Sequence, residues 1–130
     1  MINYFENQHA AINYLPESKT IEVKWKLRDA DSSSYRVIMS KGIVVTKMYD
    51  VEVWLSDMAE VKALPDEDKK WLMEILLPNL PLDITKVAFV LNATNYSVEQ
   101  AEQFIHSALE SGMNAHYFYT SADALAWINS

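Results

Sequence analysis

The part of the sequence that most restricts the fold lies between Val51 and Leu91. Residues 51–56 (VEVWLS) predict one strand and residues 86–91 (KVAFVL) a second, which lacks alternation and so is typical of a strand covered on both faces. Between them, Pro65 and the acidic residues after it predict a helix start, because proline suits the first helical position and carboxylates oppose the positive end of the helix dipole. This strand–helix–strand unit indicates an α/β sheet with parallel strands.

The residues before this unit predict an antiparallel hairpin and a helix. Apolar and charged residues alternate over 20–27, as in a half-buried strand, and the apolar run 10–15 precedes it across a turn at 16–19. Residues 29–34 are Asp and Ser in most positions, which is typical of a helix cap, and a one-sided apolar pattern follows over 35–49. Gly42 within this helix predicts a close approach of its backbone to the sheet.

The residues after the unit predict helix, strand and helix. Ser97 and Gln100 form a capping box, and Gly112 is a natural helix stop. A strand over 115–119 and a helix capped by Thr120 complete the order β-β-α-β-α-β-α-β-α. The expected inward faces of the two long helices of the second half consist of Trp71, Leu72, Ile75 and Leu76, and of Val98, Ala101, Ile105 and Ala108, with Phe104 and Leu109 beside them. The sequence thus predicts a single α/β domain over residues 1–130, with a mixed sheet that begins in an antiparallel hairpin.

Composition excludes several classes of function. Eighteen acidic residues against eleven basic ones give a net charge of −7, which disfavours a nucleic-acid partner. The absence of cysteine excludes disulfides, thiol catalysis and thiolate metal sites. The N-terminal residues do not form a signal peptide and no apolar stretch reaches the length of a membrane span, so we expect a cytoplasmic protein.

Four segments carry a resemblance to a known family. They are VWLSDM at 53–58, LPDEDKKWL at 64–72, KVAFV at 86–90 and YFYTSADALAWI at 117–128. Together with the element order, they resemble the STAS domain of anti-sigma-factor antagonists and sulfate-transporter tails. The similarity is greatest to the small stand-alone bacterial proteins described as SpoIIAA-like or STAS/SEC14-like. The resemblance implies a STAS-like fold and a regulatory protein–protein interaction without catalysis or cofactor.

The same resemblance draws attention to Asp66 and Glu67. In antagonist-type members, a phosphorylatable serine lies where the central strand passes into the next helix, and the matching junction here holds these two acids and no Ser or Thr. One interpretation is a permanently acidic switch position, because a helix N-terminus favours anions. The other is an ordinary helix cap.

A binding site on such a sheet is expected beyond the carboxyl ends of the parallel strands. The polar residues at those positions are Asp57 and Glu60 after one strand, Asn92, Thr94, Asn95 and Tyr96 after the next, and Thr120 and Ser121 after the last. Of these, Asp57, Asn92, Thr94, Asn95 and Ser121, together with Asp66 and Glu67, are the candidate ligand- or partner-binding residues. For residues 92–95 the alternative is a plain strand-to-helix loop, since Asn is common in turns.

The sequence contains no motif for covalent chemistry. Glu102, His106 and Glu110 recur at every fourth position and would hold a metal weakly, but they also form the polar face of their helix. No nucleophile elbow or glycine-rich phosphate loop is present, so we expect no catalytic residue, metal or cofactor.

Three functions remain open at this point. They are a regulatory protein–protein interaction module, a carrier or sensor of a small apolar ligand or lipid held between helices and sheet, and an enzyme of unknown reaction. A homodimer is a further possibility, with Trp25 and Trp54 presented at a sheet edge or face.

Overall fold

The computed structural model describes residues 1–26, 32–60 and 64–130. The strands are β1 (Ile2–Glu6), β2 (Ala10–Leu15), β3 (Thr20–Trp25), β4 (Val53–Asp57), β5 (Lys86–Val90) and β6 (Asn114–Phe118). The helices are α1 (Ser32–Met48), α2 (Asp66–Trp71), α3 (Val98–Glu110) and α4 (Ser121–Ile128). A π-helical turn (Leu72–Leu76) and a 3₁₀ turn (Leu77–Asn79) continue α2.

All six strands form one sheet, in the order β1-β2-β3-β4-β5-β6. The strands β1, β2 and β3 pair antiparallel, and β3 to β6 pair parallel. The α/β class, the mixed sheet and the N-terminal antiparallel hairpin are therefore confirmed.

The sequence did not predict β1. Its register with β2 shifts between Asn3 and Phe5, so Tyr4 is an extra residue in this strand. A bulge of this kind breaks the two-residue period on which strand prediction depends, and most of β1 is exposed.

The two faces of the sheet are covered by different helices. On one face, α1, α2 with its π turn, and α3 cover the larger core. On the other face, α4 packs on Val53, Leu55, Ala88 and Val90. The prediction that Trp25 and Trp54 present a surface to a partner is wrong, because both rings are buried in the larger core.

Gly42 confirms the predicted close approach of α1 to the sheet. A Cβ atom at this position would lie 2.7 Å from Cη2 of Trp54 and 3.5 Å from Cδ1 of Ile21. The first distance is far below van der Waals contact, so the helix can lie this close only because residue 42 has no side chain.

The predicted inward faces of two helices need correction. Ile75 is 51% exposed, because the wider π turn rotates it outward while Leu72 and Leu76 face the core. In α3 the inward face is centred on Phe104, so Val98 and Leu109 are more than half exposed.

The predicted helix ends agree with the structure. Ser97 accepts a hydrogen bond from the backbone N–H of Gln100 at 3.1 Å, and the side chain of Gln100 accepts one from the Ser97 N–H at 3.0 Å. Thr120 accepts a bond from the Asp123 N–H at 3.1 Å, and Gly112 has a φ of 88°. The predicted cap over 29–34 falls mostly outside the described residues. In the part of the chain that is described, no helix is long and apolar enough to cross a membrane.

Candidate functional site

At the carboxyl ends of β5 and β6, the chain leaves the sheet toward opposite faces. The connection after β5 leads to α3 on one face of the sheet, and the connection after β6 leads to α4 on the other. Loops that diverge in this way from neighbouring strands leave a crevice between them, which is where α/β sheets bind ligands. The Leu91 N–H donates to the Phe118 carbonyl at 2.8 Å, so Asn92 and Ser121 follow closely from adjacent strand ends.

Asn92 uses its side chain to join the ends of β4 and β5. Its Nδ2 donates to the Ala59 carbonyl at 3.1 Å, and its Oδ1 accepts from the Thr94 N–H at 2.8 Å. The Asn95 and Tyr96 N–H groups both donate to its carbonyl. The side chain of Asn92 is therefore occupied within the protein, whereas that of Thr94 is exposed at the edge.

Asp57 ends β4 with its carboxyl group buried on the α4 side of the sheet. Its Oδ1 accepts a hydrogen bond from the Ala59 N–H at 3.2 Å. Burial raises the pKa of this carboxyl group above its ordinary value, and the charge of Glu60 adds to the rise, while the Ala59 N–H and the charge of Lys24 oppose it. Asp57 thus lies at the predicted edge, but as a buried group rather than an accessible one.

Three exposed carboxylates follow β4 in the chain. Glu60, Asp66 and Glu67 all lie on the surface at this end of the sheet, and Lys69 lies 3.9 Å from the Asp66 carboxylate. Pro65 is the cap of α2 and no side chain caps the helix, so Asp66 and Glu67 occupy the first helical turn rather than the cap. The interpretation of these two acids as a side-chain cap is therefore wrong, and their interpretation as a switch position stays a prediction.

A cluster of buried polar side chains lies at the same end of the sheet, on the face that α1, α2 and α3 cover. We call Trp25, Tyr35, Arg36, Asp68 and Tyr96 the inner polar cluster. Asp68 is 1% exposed, and its Oδ1 lies 3.6 Å from Nε of Arg36. The Tyr35 ring lies 5.1 Å from the ring of Trp25, and the Tyr96 hydroxyl accepts a bond from the Leu64 N–H at 3.1 Å.

Besides Nε of Arg36, which lies 3.6 Å from the Asp68 carboxylate without a hydrogen bond, two neutral donors in the inner polar cluster have no hydrogen-bond partner among the described residues. They are the hydroxyl group of Tyr35 and the indole N–H of Trp25, and both side chains are buried. Burial raises the pKa of Tyr35 far above its ordinary value, with smaller contributions from Tyr96 and Asp68, and burial raises the pKa of Tyr96 to about 12. Both phenols are therefore neutral donors at pH 7, and a buried unpaired donor is unfavourable until an acceptor oxygen reaches it.

The sequence contained a signal for one member of this cluster. Asp68, Leu72 and Leu76 are spaced by four residues and all three are buried, so Asp68 shares the phase of the apolar positions of its helix. A carboxylate in phase with an apolar face indicates a buried partner. Trp25, Tyr35 and Tyr96 carry no comparable signal, because they come together from separate elements.

The outer side of α1 has a shallow depression of about 380 Å³. It is lined by Arg36, Val37, Ser40, Lys41 and Val44. On α3, His106 bonds Glu110 at 2.8 Å, and among the described residues no group of three or more potential ligands could hold a metal ion.

Comparison with known proteins identifies no relative: neither a family model, nor a curated protein, nor a solved structure matches the chain.

Proposed function

We propose that the protein is a regulatory protein–protein interaction module that acts by binding alone, in the cytoplasm, and receives a basic partner at the carboxyl edge of its sheet. The observation that carries the proposal is that three carboxylates, those of Glu60, Asp66 and Glu67, are exposed in the part of the chain that follows β4. The resemblance to STAS-type antagonists supports the same position, since the regulatory serine of that family matches this junction.

Two hydrogen bonds fix the backbone after β4 and before α2, the segments next to these carboxylates. The Asn92 side chain holds the chain after β4 against β5, and the Tyr96 hydroxyl accepts from Leu64 directly before α2. Carboxylates on a pre-organised surface attract a basic partner and orient it at little entropic cost.

Neutral substitutions test the proposal without disturbing the fold. Asp66→Asn combined with Glu67→Gln removes two charges and keeps the shape of both side chains, while Glu17→Gln combined with Asp83→Asn, at two exposed positions away from this edge, is the matched control. We expect wild type and the control to capture the same partner from a lysate of the source cells, and the double variant to lose it. Calorimetry with the purified partner should then show weaker binding at higher salt. Equal affinity of the double variant and the control would contradict the proposal.

The second candidate function is a carrier or sensor of a small ligand. The observation that favours it is the pair of buried donors on Tyr35 and Trp25, because an apolar molecule with an acceptor oxygen would satisfy them. Native mass spectrometry of freshly purified protein tests this function. A bound mass that leaves on denaturation, with lower occupancy in Tyr35→Phe, would support it, and a spectrum of ligand-free protein would count against it.

A further inference from the structure

The charges of α1 are all of one sign. Within Ser32–Met48 the charged residues are Arg36, Lys41 and Lys47, and no acidic residue is present. This helix thus carries three positive charges in a chain whose net charge is −7, and one of them, on Arg36, lies 3.6 Å from the Asp68 carboxylate. Its outward side also exposes Val37, Val44 and Met48, which are spaced by seven and four residues and so form one apolar stripe.

The charges of α3 have the opposite sign. Within Val98–Glu110 the acidic residues are Glu99, Glu102 and Glu110, and there is no Lys or Arg. Val98 and Leu109 are exposed on this helix. The two helices therefore present complementary surfaces, each with apolar residues among charges of a single sign.

Both helices lie on the same face of the sheet, with α2 and its π turn between them. Arg36 of α1 lies over the Trp71 ring at 5.8 Å, and Ser107 of α3 donates to the Met73 carbonyl at 2.8 Å. Each helix returns the chain from one parallel strand to the next, so all three run in about the same direction. These helices form one layer, which we call the helical layer, with α1 as its basic side, α2 in the middle and α3 as its acidic side.

We propose that a second copy of this chain docks on this helical layer, with α1 of each copy against α3 of the other. A two-fold axis that runs parallel to the helices above α2 places the basic side of each copy over the acidic side of its partner. The same operation makes both contacts at once, so the assembly closes as a dimer. Ile75, exposed in the middle of the layer, then faces the axis.

Charge complementarity favours a second copy of the chain over other partners for this helical layer. A partner for α1 must be acidic with exposed apolar groups, and a partner for α3 must be basic with exposed apolar groups. One molecule with both properties is the chain itself, and opposite charges across the contact fix its orientation. An anionic membrane would attract α1 but would repel the acidic remainder of the chain.

Paired charge reversals test this dimer. One variant carries Lys41→Glu with Lys47→Glu on α1, and the other carries Glu102→Lys with Glu110→Lys on α3. Each variant alone sets like charges against each other in both contacts, whereas a mixture restores opposite charges in both. By sedimentation equilibrium we expect wild type to dimerise from its 14.9 kDa chain, with a dissociation constant that rises with salt. Each variant alone should dimerise at least about tenfold more weakly, and the equimolar mixture should form a one-to-one heterodimer.

The outcomes separate the alternatives. A wild-type protein that stays monomeric at high concentration would overturn the inference, as would a dimer that persists unchanged in both variants, because that dimer would use another surface. Circular dichroism verifies that each variant is folded. If a reversal unfolds the chain, Lys41→Gln with Lys47→Gln replaces it, with a smaller weakening expected. None of these substitutions touches Glu60, Asp66 or Glu67, so the result is independent of the partner proposed for the carboxyl edge.

Discussion

The side chain of Gly42 is a single hydrogen atom, and its small size allows α1 to lie close to the sheet. Trp54 cannot move aside easily, because its ring is buried and its indole N–H donates to Ser56 Oγ at 2.9 Å. We expect Gly42→Ala to lower the free energy of unfolding by about 1 kcal/mol, since overpacking of about 1–3 kcal/mol exceeds a helix-propensity gain of up to about 1 kcal/mol. Urea denaturation measures the change, and Ser40→Ala on the outward side of the same helix is the control. A more stable Gly42→Ala protein would show that the contact with Trp54 relaxes freely.

Asp57 makes stability depend on pH in a direction unusual for a carboxylate. Its raised pKa means that the folded state holds the proton more tightly than the unfolded state, so stability falls as pH rises from the ordinary aspartate pKa through the raised one. Asp57→Asn keeps an oxygen for the Ala59 N–H and removes the buried charge. We expect this variant to be more stable than wild type at neutral pH, with the advantage lost in acid where Asp57 is protonated.

Denaturation of both proteins over a series of pH values measures this difference. Asp83→Asn, at an exposed position, serves as the control for loss of one negative charge. A wild-type protein that is more stable than Asp57→Asn at neutral pH would mean that the ionised carboxylate is favourably paired.

Roles that depend on near neighbours in the chain were predictable at the residue scale. Ser97 and Thr120 cap helices that begin directly after them, so their spacing alone predicted both contacts. Gly42 was identifiable as a close-approach position, but not its contact with Trp54, which depends on the packing of α1 on β4. The burial of Asp57 was not predictable, because it depends on how the end of β4 is packed in the folded sheet.

Asn92 connects two elements, and its substitution should loosen the carboxyl edge as a whole. We expect Asn92→Ala to lower the free energy of unfolding by about 1 kcal/mol, since it removes the hydrogen bonds to the Ala59 carbonyl and the Thr94 N–H at sites that water still reaches. Asn92→Asp keeps the acceptor for Thr94 but turns an oxygen toward the Ala59 carbonyl, so it should also destabilise. Thermal unfolding measures both variants against Thr94→Ala, whose side chain is exposed. Stability of Asn92→Ala equal to that control would show that the link between strand ends contributes nothing.

At the scale of helices and strands, prediction from the sequence was correct where apolar residues recur with a regular helical or strand period. It was incomplete where a π turn or a bulge interrupts that period. A helix start at Pro65 was expected from the proline and the acids after it, because these are local preferences, and the structure has Pro65 as the cap, with Asp66 as the first helical residue. The π turn after Trp71 changes the residues per turn, so the inward face calculated for an α-helix misplaced Ile75. The bulge at Tyr4 had the same effect on β1.

At the scale of the whole molecule, we expect the position of a strand in the sheet to determine how strongly that strand resists local unfolding. The strands β3, β4 and β5 have two neighbours each and are largely buried, whereas β1 pairs only with β2 and is largely exposed. We expect hydrogen exchange to be slowest in β4 and β5 and fastest among the strands in β1. Amide exchange followed by mass spectrometry of peptic fragments measures this order. Protection of β1 equal to that of β4 would indicate that another chain covers this edge.

The candidate site was only partly predictable at this scale. Alternating strands and helices indicate that residues at the strand ends share one edge, and there Asp57 ends β4 while Asn92 and Thr94 follow β5. The inner polar cluster draws Tyr35 and Asp68 from elements far apart in the chain. No sequence period links such residues, so their proximity emerges only when the helices are packed on the sheet.

The order of strands in the sheet matches their order in the chain, and this has a consequence for synthesis. A ribosome releases the chain from its N-terminus, so every emerging strand finds its pairing neighbour already made. The two antiparallel hairpins close short loops, whereas each parallel pairing has to wait for a crossover helix, since partners such as Thr20 and Val53 are separated by the whole of α1. The α4 face is the exception, because Val53, Leu55, Ala88 and Val90 have no cover until the last helix is translated. A stalled nascent chain that ends after β6 would therefore expose an apolar surface and become a target for chaperones.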